Sequence, residues 1–351
     1  MYQYNLYDRI LGSLTLAGIG DAIGAPSEAM SRDEIHRKYG GRITTFLDGS
    51  DNPYALGNAV GEVTDDASQM YEMAQAIIRT RGELTVEAAA EAILNWSKNF
   101  PRYYPRNAGP TTRHVITELL AGKDPVEIGM TGCEYNRGVS NGAAMRVAGA
   151  GLAHPGCWER AAQTAITSCR PSHGTQHAFA GACAIACGIS EALTEGAQIS
   201  GILRACLFGA ETGQRRGEET ARRACGVSTR EQILRAIRIG YDCGSMEQAE
   251  QALEQTIGND GSMQTSVAVA IGLFLAADGD PMKTVLGGAN IGGDTDTIAC
   301  IAGSLAGAYA GYAAVPEEWR RLFEEVNPQL RFRETARELE KIASSKGDSR
   351  V

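Results

Sequence analysis

The chain has 351 residues, room for one large domain or two ordinary ones. Its formal charge of −9 excludes a broad phosphate-neutralising surface, which needs clustered Lys and Arg, so no nucleic-acid partner is expected. With 42 glycines and only 6% aromatic residues, the core must be made of small and aliphatic side chains in closely packed helices.

The predicted elements are helical nearly throughout. Leu6, Ile10, Leu14 and Ala17 share one face of a first helix, which is expected to be interrupted by a turn region at Gly18-Ile19-Gly20-Asp21. A second helix carrying Met70, Met73, Ala74, Ile77 and Ile78 begins just after Val63-Thr64-Asp65-Asp66. Thr85 is placed to N-cap a helix over 86–100, closed by Pro101. Further helices are predicted over 110–120, 157–169, 176–193, 199–210, 218–239, 246–257 and 265–277. The last three are expected over 295–314, 316–326 and 332–345, ahead of a frayed tail at 346–351. No stretch alternates apolar and polar residues over six positions, and no linker or fixed-period repeat divides the chain. A single all-α domain over 1–345 follows.

Three features bear on location. Nine cysteines, an odd number without a CxxC pair, indicate free thiols in a reducing compartment. The N-terminus lacks the basic start and apolar stretch of a signal peptide, so a cytoplasmic protein is expected. Residues 298–315 carry no charge, yet they are mostly Ala and Gly. Gly303, Gly307 and Gly311 recur every four residues, the stripe of a buried helix packed closely on another rather than of a membrane span.

Two acidic clusters carry the chemistry: Thr64-Asp65-Asp66 and Gly292-Gly293-Asp294-Thr295-Asp296-Thr297. Each sits at the head of a helix, where capping alone would account for one of them. Two such pairs are harder to explain so, because adjacent carboxylates repel unless a cation or protons intervene. Four carboxylates and two hydroxyls form an oxygen-only donor set suited to Mg²⁺ or Mn²⁺. Roughly 230 residues separate the clusters, so the fold must bring them together.

Other motifs read more weakly. Gly18 to Gly24 is a near miss to a dinucleotide fingerprint, with one residue too many and a helix where a strand is required. Gly138-Val139-Ser140-Asn141-Gly142 matches a nucleophile elbow literally, but no strand precedes it and no late histidine follows. A loop offering backbone amides to a phosphate or sugar is the better reading. His173 and His177 stand four apart without the glutamate of a zinc helix, which favours a satisfied, partly buried pair.

Read in order, Gly20-Asp21-Ala22-Ile23-Gly24-Ala25-Pro26-Ser27-Glu28, Thr64-Asp65-Asp66, Asn141-Gly142-Ala143-Ala144-Met145-Arg146, Ser172-His173 and Gly292 to Thr297 resemble the ADP-ribosylglycohydrolase family. The resemblance spans nearly the whole chain and is nearest to a bacterial branch. It implies a compact all-α fold with a binuclear Mg²⁺ (or Mn²⁺) centre held by Thr64, Asp65, Asp66, Asp294, Asp296 and Thr297. It implies an acidic Glu28 at the site mouth, and a cleft for ADP-ribose lined by Gly109, Ser140, Asn141, Gly142, Ala143, Met145 and His173. Asp65 and Asp296 are the candidates to orient or deprotonate an attacking water. The implied activity is hydrolysis of the glycosidic bond at the ribose anomeric carbon of an ADP-ribosylated protein or small acceptor. The alternatives are a ribonucleoside N-glycosidic hydrolase with the same site, or a non-catalytic ADP-ribose-binding or structural member. The chain departs from the family pattern at Ala67-Ser68 and over 258–267, which bears on recognition of the distal adenosine or leaving group.

Overall fold

The first helix does not break at Gly18. In the computed structural model, which describes residues 4–131 and 138–347, α1 runs unbroken over Leu6–Gly24. Its glycines are contact points rather than turns. A Cβ at Gly20 would lie 2.2 Å from the Ala299 carbonyl oxygen, and one at Gly307 would lie 2.2 Å from the Gly12 carbonyl oxygen. Helix propensity loses about 1 kcal/mol at each glycine, and the close backbone approach offsets it.

The remaining helices follow in order: α2 (Arg32–Tyr39), α3 (Asp65–Arg79), α4 (Val86–Asn99), α5 (Pro110–Leu120), α6 (Pro125–Met130), α7 (Gly142–Met145) and α8 (Ala148–Leu152). Next come α9 (Trp158–Cys169), α10 (Gln176–Ala192), α11 (Ile199–Thr220), α12 (Thr229–Asp242), α13 (Met246–Thr256) and α14 (Met263–Ala276). The chain ends with α15 (Pro281–Asn290), α16 (Thr295–Ala310), α17 (Glu317–Val326) and α18 (Phe332–Gly347). Among the described residues there is no strand, only two isolated bridges, so the all-α expectation holds. The tail expected from Lys346 lies mostly outside the described residues, α18 reaching Gly347.

Helices α1, α10, α14 and α16 are apolar on nearly every side and form the buried centre, as all-round apolarity requires. The stripe Gly303, Gly307 and Gly311 meets α1, so the uncharged segment is a core helix; no helix among the described residues is long and apolar enough to cross a membrane. Outer helices are amphipathic. In α17 only Trp319 and Phe323 are buried, on one face.

Several helices differ from expectation, among them α6, α7 and α8, which were not predicted. The helix predicted over 218–239 is two helices: α11 continues to Thr220, and α12 starts after the N-cap Ser228, whose hydroxyl accepts from the Glu231 amide. Gly226, at a φ of 144°, turns the chain between them. The short helices α2 and α15 went unpredicted, although a Ser31–Glu34 capping box and an Asp280 cap followed by Pro281 mark their starts. Of the nine cysteines, eight are free thiols; Cys133 lies outside the described residues.

Candidate metal centre and cleft

The two acidic clusters meet. Asp65 and Asp66 open α3, Asp294 precedes α16, and Asp296 and Thr297 lie in its first turn. Carboxylate oxygens of Asp21, Asp66 and Asp296 lie within 4.8 Å of one another, and so do those of Glu28, Asp294 and Asp296. Asp296 belongs to both triads. Gly292 and Gly293, at φ of 78° and 67°, turn the chain sharply into Asp294.

Neither Thr64 nor Asp294 caps its own helix with its side chain, contrary to the local capping role the sequence allows. The caps come from α1 and the turn after it. Asp21, buried in the last turn of α1, accepts from the Thr64 and Ala67 amides, both at 2.9 Å, and from the Thr64 hydroxyl at 2.8 Å. Glu28 Oε2 accepts from the Thr295 amide at 2.9 Å, and Asp296 Oδ1 from the Thr297 amide at 2.7 Å. Carboxylates in these positions face the positive ends of α3 and α16.

These neighbours leave most of the negative charge uncompensated. Burial, then the Asp296 carboxylate, pushes Asp65, Asp66 and Glu28 well above the ordinary carboxylate range. The same two causes push Asp294 up to about 7, and burial lifts Asp21 to about 6 against the amides that hold it. Asp66 Oδ1 is buried without a hydrogen-bond partner. An orphaned carboxylate oxygen within an oxygen-only set fits a divalent cation. It does not fit a soft thiolate metal.

A stability consequence follows. Each carboxylate ionises at a higher pH in the folded chain than in the unfolded one. Its contribution is therefore complete below about pH 4 and is lost as pH rises through the folded value, near 6 for Asp21 and 7 for Asp294. Chelator-treated protein is expected to unfold at lower urea concentration at pH 8 than at pH 5.5, with saturating Mg²⁺ removing most of the difference. A midpoint independent of pH in chelator would contradict this.

Above the carboxylates opens a cavity of about 350 Å³. Glu28, Asp65, Asp66, Asp294, Asp296 and Thr297 line its floor, with Gly109, Ser140, Asn141, Gly142, Met145 and His173 around it. Two residues expected here are absent from the lining. Thr64 is buried beneath it with its hydroxyl on Asp21, and Ala143 points into the core on the buried side of α7. Sequence reasoning missed Tyr54 and Asn107, from loops without a local signature, and Pro110, Thr111 and Thr112 at the head of α5; it met Gly261 only as part of the divergent stretch 258–267, and gave Asp21 no role despite quoting it.

Loop pairing positions the cleft wall. Asn141 donates to Asp294 Oδ2 at 2.5 Å and to Ser266 Oγ at 2.9 Å, and its amide donates to Gly261 O at 3.0 Å. Met263 N donates to Val139 O, and the Asp294 amide to Asn259 O. The divergent stretch 258–267 thus braces both Asp294 and the Ser140 loop.

His173 and His177 do not share a helix face. His173 precedes α10, whose N-cap is Thr175, while His177 lies in its first turn. His173 Nε2 is 2.9 Å from Ser140 Oγ, a serine–histidine contact that histidine position alone argued against. Its Nδ1 meets Ser172 Oγ rather than an acid, and buried Arg146 stands behind. Burial and that cation hold His173 well below the ordinary imidazole range, so it lacks the basicity to activate a nucleophile.

The fold and the site together describe an all-α protein with an oxygen-donor, cation-seeking centre beneath a polar cleft. The chain belongs to the ADP-ribosylglycohydrolase family, whose model matches residues 3–349, and is thereby a glycosidic-bond hydrolase. It is 32% identical to the YegU protein of Escherichia coli (strain K12) over 95% of this chain and 97% of that one. It is 28% identical to human ADP-ribosylhydrolase ARH3, covering 89% and 88% of the two chains. A solved structure titled ADP-ribosylglycohydrolase-related protein complex shares the fold, with a TM-score of 0.70 at 23% identity over 96% of this chain and 99% of that one.

Proposed function

We propose that the chain hydrolyses the glycosidic bond at the ribose anomeric carbon of an ADP-ribosylated protein or small acceptor, using two divalent cations, Mg²⁺ or Mn²⁺. The observation that carries this reading is the sharing of Asp296 between two carboxylate triads, whose Glu28, Asp66, Asp294 and Asp296 line the floor of the cleft while Asp21 is buried. Asp65, Asp66, Asp294, Asp296, Thr297 and, from beneath, Thr64 would hold the cations. Bound there, divalent cations supply Lewis-acid polarisation of the ribose diol and of a water.

The side chains do the rest. Asp65 or Asp296 orients the attacking water toward the anomeric carbon and takes its proton. Positive charge developing at the sugar ring is stabilised by the carboxylates around it. Glu28, which lies on the floor beside Asp294 and Asp296 rather than at the mouth, is placed to hold a cation, to handle the proton of the leaving group or to gate the site. Gly109, the Ser140 to Met145 loop and His173 hold the distal part of the substrate; a Cβ at Gly109 would meet no atom within 4 Å, so its place is open to a ligand.

The test is a release assay with ADP-ribosyl-arginine, ADP-ribosyl-serine and a panel of ribonucleosides, each with Mg²⁺ and with chelator. ADP-ribose release that requires Mg²⁺ is expected from at least one ADP-ribosylated compound. Base release from nucleosides alone would replace this function with the riboside reading, and ADP-ribose binding without turnover would leave a non-catalytic member.

A further inference from the structure

A buried polar chain runs from the carboxylate floor to the cleft wall. Asp65 Oδ2 accepts from Gln69 Nε2 at 2.9 Å, and Gln69 Oε1 accepts from Arg146 Nη1 at 3.2 Å. Arg146 Nη2 donates to Ser172 Oγ, which lies 2.8 Å from His173 Nδ1, and His173 Nε2 lies 2.9 Å from Ser140 Oγ. Gln69, Arg146, Ser172 and His173 are all at least 97% buried. At the far end of this chain Ser140 and the His173 ring line the cleft, while Gln69, Arg146 and Ser172 do not reach it.

The chain has one polarity, because guanidinium is donor-only. Arg146 therefore fixes the Gln69 amide with its oxygen toward the guanidinium and its nitrogen toward Asp65. It also fixes Ser172. Its oxygen accepts from Arg146, so its single proton must go elsewhere, and the choices are His173 Nδ1 at 2.8 Å or the Cys169 carbonyl at 3.5 Å. The carbonyl is beyond good hydrogen-bond range. Moreover, Cys169 O already accepts the His173 amide at 2.7 Å and the Ser172 amide at 3.0 Å. The proton therefore lies on the Nδ1 side. His173 must then carry its own proton on Nε2 and donate it to Ser140 Oγ, leaving the Ser140 hydroxyl proton to point outward.

We propose that Arg146 is a positioning residue that sets, through Ser172, the Nε2–H tautomer of His173, and so makes Ser140 a hydrogen-bond donor to an acceptor oxygen of the substrate. The substrate's place in the cleft rests on the function proposed above; the tautomer does not. Arg146 touches no cleft surface, so contact inspection alone would class it as a core residue.

Long-range ¹H–¹⁵N spectra of the ligand-free protein, with the His173 signals assigned against His173→Asn, read the tautomer directly. Wild type and Ser172→Thr, which keeps the hydroxyl, are expected to show Nε2–H; Ser172→Ala and Arg146→Met are expected to lose that preference. ADP-ribose affinity, measured by calorimetry with Mg²⁺, is expected to fall about tenfold in Ser172→Ala, the scale of one lost hydrogen bond, raising KM more than it lowers kcat. An Nδ1–H or doubly protonated His173 in wild type overturns the proposal. So does an unchanged tautomer in Ser172→Ala, which stands as the test if Arg146→Met does not fold. A wild type that shows Nε2–H but binds no ADP-ribose would overturn the proposed function and Ser140's role in it while upholding Arg146 as the residue that sets His173.

Discussion

Asp296→Asn is expected to reduce turnover by roughly 10³-fold or more and, at the same time, to make the cation-free protein more stable. Both effects have one cause. Asp296 is 6% exposed and is shared by both carboxylate triads, so its charge bears on acids in each of them. It is a charged neighbour raising Glu28, Asp65, Asp66 and Asp294 alike. The amide keeps the volume and one acceptor oxygen but deletes the charge, which removes repulsion from a site without cations and attraction from a site with them. Loss of a single preorganised electrostatic group costs about 10²–10³ in rate. A group that also acts on the water costs more, because such residues work as a unit. Asp294→Asn, which touches one triad only, should cost less. Initial rates at saturating Mg²⁺, with urea midpoints in chelator at pH 8, check both halves. A rate near wild type for Asp296→Asn would remove the centre from the reaction, and an unchanged midpoint would remove the repulsion argument.

What was legible in the sequence is what is local. Some helix starts with a cap or proline were read to within a residue, as at Thr85 and Pro110, because the signal lies within a few positions; in the short α2, α6 and α15 the same signals stand before too little apolar periodicity to mark a helix. The carboxylates were legible as pairs beside glycines, and the Gly303 stripe as the mark of a close helix contact. Three things were not. The continuity of α1 through Gly18 and Gly20 depends on partner helices that no local window contains, and glycine read alone signals a turn. The capping of α3 and α16 by Asp21 and Glu28 joins residues 43 and 267 positions apart. Likewise Tyr54 and Asn107 reach the cleft from loops: the Asn107 side chain holds the Tyr54 carbonyl at 2.7 Å, a pairing set by tertiary structure alone. Propensity describes an element and cannot describe what a distant element supplies to it.

The same helix contact that hid α1 from the sequence sets the geometry of the site, and this gives the second large effect. A Cβ at Gly24 would lie 2.5 Å from Asp296 Cα and 2.6 Å from Asp296 N. A Cβ at Gly12, toward the other end of α1, would lie 2.5 Å from Gly311 C and 2.6 Å from Gly307 O. In both places the obstacle is backbone, which cannot rotate away, so α1 and α16 must separate. Gly24→Ala and Gly12→Ala are each expected to destabilise the protein by about 2–4 kcal/mol, the overpacking cost less the better helix propensity of alanine. Their functional effects should differ. Separation at Gly24 carries Asp296 away from Asp21 and Glu28 and opens both triads, and a displacement of about 1 Å at reacting groups costs on the order of 10²-fold in rate. Gly12 packs against backbone at the far end of α16, away from the carboxylates. Urea midpoints for both variants, with rates and Mg²⁺ titrations on the folded protein, separate the two consequences. Equal activity in the two variants would show that the triads tolerate movement of α1 against α16, and that the shared position of Asp296 is not what sets the centre.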